Sequence, residues 1–131
     1  MTPPSALATV RSYHDAWTTG DIDHAASLLA DDLAVEVPIN DYPDKTSFTA
    51  AVAQFGALVR RVELLSQIGT DHEAMLLYDM DVANVGVLRV AEHFAVRDGV
   101  ITRVRHIHDT EPIRRAIASQ PRSTYGLETT T

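Results

Sequence analysis

The sequence lacks cysteine altogether, has no long apolar run, and contains far fewer basic than acidic residues. Without cysteine, a disulfide framework, a zinc ribbon and a thiol nucleophile are all excluded. No apolar stretch approaches the roughly 20 residues that a membrane span requires, and no run of signal-peptide length follows Met1. We therefore expect a protein that does not contact membranes and that resides in the cytoplasm.

The charge balance argues against nucleic acid as a partner. The chain has 11 Lys and Arg against 18 Asp and Glu, which gives a formal charge of -7 and a pI near 5.2. Binding to phosphate groups requires clustered cations, and the arginines at 103, 105, 114 and 115 are too few to supply them. A length of 131 residues predicts a single domain, with a core of about residues 5–118 and a flexible tail at 119–131.

Three helices are predicted in the first half of the chain. Ser5 is a suitable N-cap for a first helix with apolar residues at helical spacing, which Gly20 ends. Asp21 can cap a second helix whose apolar positions continue to Leu29. Ser47 can cap a third helix with a 3.6-residue apolar period.

From residue 60 onward the apolar period changes to two, which indicates β-strands. Strands are predicted near residues 61–68, 73–82, 86–97 and 100–109, in addition to an earlier strand at 33–37 that ends at Pro38. Asp98-Gly99 is a good two-residue hairpin turn between the last two strands. Three helices followed by a run of strands indicate the α+β class, with helices packed on one face of a curved antiparallel sheet.

The last hairpin carries the polar residues that are candidates for chemistry. Glu92 interrupts an otherwise apolar strand face, where a carboxyl group is costly unless it is paired or protonated. His106 and His108 share one face of the next strand, and imidazoles titrate near neutral pH. The same alternation puts Ile101 on the opposite face. If Asp98-Gly99 joins the strands as a hairpin, Glu92 and both histidines can line one concave surface.

The stretch from Gly20 to Pro38, GDIDHAASLLADDLAVEVP, resembles the nuclear-transport-factor-2-like superfamily, and within it the ketosteroid isomerase and SnoaL-like polyketide cyclase branch. The resemblance extends over roughly residues 5–117. It implies a cystatin-like roll in which a cone-shaped, curved antiparallel sheet packs against three N-terminal helices. It also implies a pocket for a small hydrophobic molecule, and chemistry without a cofactor.

The resemblance assigns roles to two further side chains. Tyr13 lies eight residues before Asp21, as does the tyrosine that hydrogen-bonds the substrate carbonyl in ketosteroid isomerases. Glu92 matches the second oxyanion donor of that family, a protonated aspartate, if the hairpin is one residue shorter here. A match without that gap puts Ala91 at this position instead. The apolar face around Glu92 favours the gapped match.

Two departures from the family limit the reaction. The isomerase base is the aspartate of a Val-Glu-Asp-Pro run, whereas this chain reads Val-Glu-Val-Pro with Val37 at that position. Limonene epoxide hydrolases use an Arg-x-Asp pair, whereas Arg89 is followed by valine and alanine. Proton transfer is therefore assigned to His106 or His108, with Asp109 able to orient one of them, while Tyr13 and protonated Glu92 stabilise an enolate.

Other functions remain open at this point. A binding protein would keep an apolar pocket lining, for which the candidates are Trp17, Phe55, Phe94 and Val104. An epoxide hydrolase-like enzyme is a further alternative. Two same-face histidines can also chelate a metal, but a third ligand is not obvious, and we predict a metal-free site. The outer sheet face, with Arg103, Arg105 and Ile107, is a candidate homodimer surface. The other histidines, His14 included, are expected at the surface or at the boundary between surface and core.

Overall fold

The computed structural model of the protein describes residues 4–119, which form four helices and five strands. Most of the predicted tail at 119–131 lies outside the described residues. The helices are α1 Ala6–Thr18, α2 Ile22–Ser27, α3 Lys45–Gly56 and α4 Glu111–Ala118. The strands are β1 Leu29–Glu36, β2 Val59–Gly69, β3 Glu73–Val82, β4 Gly86–Arg97 and β5 Val100–Ile107. Among these residues, no helix is both long and apolar enough to cross a membrane.

Side-chain caps determine where the first three helices begin. The Ala8 amide donates to the Ser5 hydroxyl at 3.1 Å, and Asp21 caps α2, as predicted. Helix α3 begins three residues earlier than expected. Asp44 is its N-cap and accepts from the Ser47 amide at 2.8 Å, and the Ser47 hydroxyl completes a capping box.

The junction between α2 and β1 differs from the prediction. Leu28 and Leu29 were assigned to the second helix, but α2 ends at Ser27 and β1 begins at Leu29. The Ile101 amide donates to the Leu28 carbonyl at 2.8 Å, so pairing with β5 draws this segment into the sheet. A short apolar run fits either a helix or a strand, and here a partner 70 residues away decides between them.

The sheet has the order β1-β5-β4-β3-β2. Strands β2 to β5 pair antiparallel, as predicted, whereas the edge strand β1 runs parallel to β5. Register shifts interrupt the β1–β5, β2–β3 and β4–β5 pairings, and such bulges bend a sheet. The α+β class and the curved sheet covered by N-terminal helices are therefore confirmed.

The predicted Asp98-Gly99 hairpin is present. Both residues have positive φ, 53° and 79°, and Arg97 pairs directly with Val100. A primed turn of this kind matches the twist of the flanking strands. The pairing continues to Glu92 opposite His106. The extra residue of a bulge at Thr102, however, turns Ile101 into the core, so its expected position on the outer face is wrong.

Helix α1 packs across the inner face of the sheet and comes very close to the end of β2. A Cβ atom added to Gly69 would lie 2.8 Å from Leu7 Cβ and 3.4 Å from Ala74 Cβ. A glycine at this position therefore allows α1 to lie directly on the strand. The same helix then extends over β3, β4 and β5, which brings Tyr13 and Trp17 over the middle of the sheet.

Candidate functional site

A cavity of about 590 Å³ opens between the inner face of the sheet and helices α1 and α3. This volume lies in the range of sites for small molecules. Its lining is largely apolar and includes Trp17 and Phe55, two of the residues predicted to contact a ligand. Neither lysine nor arginine occurs among the described lining residues. The cavity therefore suits an apolar molecule without a negative charge.

A polar cluster of four side chains, Tyr13, Tyr78, Glu92 and His106, interrupts this apolar lining. Glu92 is only 2% exposed and lies opposite His106 in the β4–β5 pairing. His106 Nε2 is in close contact with Glu92 Oε2, while Glu92 Oε1 has no hydrogen-bond partner among the described residues. The contact depends on the bulge at Thr102 as well as on the hairpin turn, because the turn alone would put Arg105 opposite Glu92.

The pKa of Glu92 shifts in the direction opposite to the one that a protonated donor would require. Burial raises the pKa of the Glu92 carboxyl, but His106, Tyr78 and His14 act more strongly in the opposite direction, so its pKa lies below the usual value. The carboxylate is therefore ionised and only accepts hydrogen bonds. Nε2 of His106 must carry a proton to face it, which leaves Nδ1 as the ring nitrogen available to a molecule in the cavity.

The two tyrosines of the polar cluster are hydrogen-bond donors. Burial, with a further contribution from the charge of Glu92, raises the pKa of both Tyr13 and Tyr78 well above the usual value. Their hydroxyls therefore stay protonated and can donate. Tyr13 was predicted in this role, whereas Tyr78 was missed. Tyr78 alternates with Leu76 and Met80 on the inner face of β3, and it is the one residue of that strand face with a polar group at its end. This pattern could have identified it from the sequence.

His14 was expected at the surface or at the boundary between surface and core, but it is buried, with 4% exposure. Its ring lies 4.9 Å from that of Tyr78 and 5.8 Å from that of Trp17, measured between centroids. Burial lowers the pKa of His14, and the nearby charge of Glu92 only partly opposes this effect. The helical spacing of Val10, His14 and Trp17 would have placed it on the buried face of α1.

His108 and Asp109 have separate roles at the end of β5. His108 lines the cavity, and its Nδ1 donates to the main-chain carbonyl of Asp109 at 2.9 Å. The Asp109 carboxylate instead accepts from the Glu111 amide at 3.0 Å, at the start of α4. Asp109, which was expected to orient a histidine, contacts His108 through its main-chain carbonyl. The Asp109 side chain is not part of the cavity lining.

Phe94 and Val104 were predicted as ligand contacts, but the structure places both in the closed core. Each is 0% exposed, and neither belongs to the cavity lining. The Phe94 ring meets the Tyr13 ring edge-on with 6.0 Å between centroids. Helix α1 covers this part of the inner face, so Phe94 and Val104 pack beneath the polar cluster and do not line the cavity.

A family model for the SnoaL-like domain matches residues 10–104. The chain belongs to the SnoaL-like domain family. A crystal structure of a Kribbella flavida protein is 32% identical to this SnoaL-like domain, with a TM-score of 0.83 over 87% of this chain and 94% of that one. No curated protein sequence matches the chain significantly.

Two more distant crystal structures share the fold of this SnoaL-like domain. An NTF2-like protein of unknown function from Cytophaga hutchinsonii is 14% identical, with a TM-score of 0.72 over 87% of this chain and 99% of that one. A steroid delta-isomerase from Pseudomonas aeruginosa is 15% identical, with a TM-score of 0.72 over 89% of this chain and 90% of that one. At these identities the likeness concerns the fold alone.

Several other side chains of the SnoaL-like domain can be assigned as well. Val37 lines the cavity, so an apolar group stands where the related isomerases have their base. Arg89 lies on the outer sheet face, where it pairs with Asp79 at 2.8 Å. Arg105 pairs with Glu36, and His93 pairs with Glu73. Within residues 4–119, no three His, Asp or Glu side chains are grouped to hold a metal.

Proposed function

We propose that this SnoaL-like domain catalyses proton transfer next to a carbonyl group of a small hydrophobic molecule, as an isomerase or aldol cyclase that needs no cofactor. One observation carries this proposal: buried Glu92 contacts Nε2 of His106 at the wall of an apolar cavity. A carboxylate that holds one nitrogen of an imidazole fixes its tautomer and leaves the other nitrogen as a base. That arrangement replaces the base that is missing at Val37.

In the proposed reaction, His106 Nδ1 removes a proton from the carbon next to the carbonyl. The electrons of the broken C–H bond form the enolate double bond, and the negative charge moves to the carbonyl oxygen. The Tyr13 hydroxyl donates a hydrogen bond to that oxygen. The proton on His106 then returns to carbon in an isomerisation. In an aldol closure, the enolate carbon attacks a second carbonyl, whose oxygen takes the proton.

The experiment is hydrogen exchange of 2-acetylnaphthalene in D2O, followed by the loss of its methyl signal in NMR spectra. The wild type should accelerate exchange, and Tyr13→Phe should lower the rate by about 10²–10³, because one oxyanion donor is lost. Tyr42→Phe is the matched control, since Tyr42 lines the same cavity but its pKa is shifted by burial and by Asn40, not by Glu92. Equal rates for both variants would contradict the role of Tyr13.

The alternative is a non-catalytic domain that binds a small hydrophobic ligand. The apolar residue at Val37 favours it, because the proton acceptor of the related isomerases is absent. This alternative predicts that 2-acetylnaphthalene binds to the wild type without any faster exchange of its methyl protons. Binding together with faster exchange would exclude it.

We also infer that two copies of the chain pair through the outer face of the sheet. Leu77, Ala91 and Ile107 form one apolar row across β3, β4 and β5, and Ile107 is 68% exposed. Side chains of both charge signs flank this row, including the Arg89–Asp79 and His93–Glu73 pairs. A face that carries both signs can be complementary to a second copy of itself.

Ile107→Glu should therefore weaken the dimer by about 100-fold or more, because a carboxylate without a partner would be buried at the interface. Sedimentation equilibrium across micromolar concentrations measures this change. Ala50→Glu is the control, since Ala50 is exposed on α3, away from the outer face. A wild type that is monomeric throughout this range would rule out the dimer.

A further inference from the structure

We propose that the molecule bound in this cavity carries a hydroxyl group on the carbon next to its carbonyl, and that Glu92 Oε1 accepts the hydrogen bond from this hydroxyl. The inference rests on the proposed function, because it concerns the substrate of the same site. It assigns to Glu92 a direct contact with the ligand, in addition to its contact with His106.

The first reason is an acceptor that lacks a donor. Glu92 is 2% exposed and lines the cavity, and its Oε2 meets His106 while Oε1 has no hydrogen-bond partner among residues 4–119. The Tyr78 hydroxyl is a further donor close to this carboxyl and contributes to lowering its pKa, but no hydrogen bond from a described residue ends on Oε1. A buried carboxylate oxygen without a donor is costly, and a ligand hydroxyl would remove that cost.

The second reason is the neighbourhood of Glu92. Tyr13 stands close enough for the charge of Glu92 to raise its pKa, so a donor and an acceptor line the same part of the cavity. A plain ketone would use the donor and leave the acceptor unused. A carbonyl with a hydroxyl on the adjacent carbon presents an acceptor and a donor side by side. It therefore matches Tyr13 and Glu92 together.

The third reason is the charge of the lining. The described lining contains neither lysine nor arginine to attract an anionic ligand, and the lowered pKa of Glu92 favours a carboxylate that would repel one. The donor must therefore sit on a molecule without a carboxylate or phosphate near this end. The remaining wall, with Val52, Phe55 and Leu58, suits an apolar body. A neutral hydroxyketone on an apolar ring system satisfies all of these conditions.

The test compares three ligands by isothermal titration calorimetry: 2-acetylnaphthalene, its derivative with a hydroxyl on the methyl carbon, and the methyl ether of that derivative. The hydroxyketone should bind about tenfold more tightly than both others, because a hydrogen bond to a charged group is worth more than one to a neutral group. The methyl ether controls for size, since it has the same oxygen but no donor.

Glu92→Gln should reduce this preference to about twofold or less, because the charged acceptor becomes a neutral amide. Met80→Leu is the control. Met80 lines the cavity but lies opposite Leu88, four residues along β4 from Glu92 and therefore about 13 Å away, so it should keep the tenfold preference. If Glu92→Gln does not fold, the three ligands on the wild type still decide.

Equal affinities of the wild type for the hydroxyketone and its methyl ether would overturn the inference, as would an undiminished preference in Glu92→Gln. The two proposals fail separately. Exchange of the methyl protons of 2-acetylnaphthalene tests the catalytic proposal with a ligand that has no hydroxyl. Faster proton exchange without tighter binding of the hydroxyketone would contradict only the inference on the ligand. Tighter binding of the hydroxyketone without faster exchange would contradict only the catalytic proposal.

Discussion

His106→Gln is expected to lower the rate of 2-acetylnaphthalene exchange by about 10²–10⁴, the usual contribution of a positioned general base. Glutamine has no group that accepts a proton near neutral pH, although its amide can still donate to the Glu92 carboxylate. The variant therefore keeps the contact with Glu92 but lacks a base at position 106. NMR exchange rates at saturating ligand measure the effect, and the affinity for the ketone should change much less than the rate.

His93→Gln is the matched control for this prediction. His93 is on the same hairpin and also faces a glutamate, since its Nε2 lies 2.6 Å from Glu73 Oε1, but this pair is on the outer face of the sheet. The exchange rate of the His93→Gln variant should stay within about twofold of the wild-type rate. A similar fall in both variants would point to a loss of structure, and an unchanged rate in His106→Gln would refute His106 as the base.

Phe94→Ala is expected to lower the free energy of unfolding by about 3–5 kcal/mol, the range for removing a fully buried aromatic ring. Phe94 is 0% exposed and meets Tyr13 edge-on, so its loss leaves a cavity beneath the polar cluster. Urea denaturation followed by circular dichroism measures the change. The slope of the transition should stay close to that of the wild type.

Phe55→Ala provides the comparison that separates core from cavity. Phe55 lines the cavity and is only partly buried, so its removal should lower the free energy of unfolding by about 1–2 kcal/mol. It should weaken the binding of 2-acetylnaphthalene more than Phe94→Ala does. A larger loss of unfolding free energy in Phe55→Ala than in Phe94→Ala would contradict the placement of both rings.

Local chemistry made much of this architecture predictable. Ser5 and Asp21 cap their helices through contacts three residues away, and Asp98-Gly99 selects a primed turn from its own φ angles. That turn sets the register next to it, with Arg97 opposite Val100, and strand alternation alone would then put Glu92 opposite Arg105. The bulge at Thr102 adds one residue to β5 and brings His106 opposite Glu92, so the central contact of the candidate site depends on the turn and the bulge together.

Features that depend on distant elements could not be predicted in this way. Strand alternation puts Glu92 and Phe94 on the same face, but where α1 crosses that face decides which residue meets the cavity. The ionisation of Glu92 likewise depends on Tyr78 from β3 and His14 from α1, which no local pattern brings to it. The parallel pairing of β1 also required a partner distant in sequence.

Gly69 lies where the N-terminal part of α1 contacts the sheet. Any side chain there would push against Leu7, and a helix of 13 residues responds as a rod, so lifting one end tilts the rest. Tyr13 lies about 9 Å further along the same axis. A shift of 1 Å at a reacting group can change a rate by about 100-fold. The position of Tyr13 at the cavity thus depends on a residue outside the cavity that has no side chain.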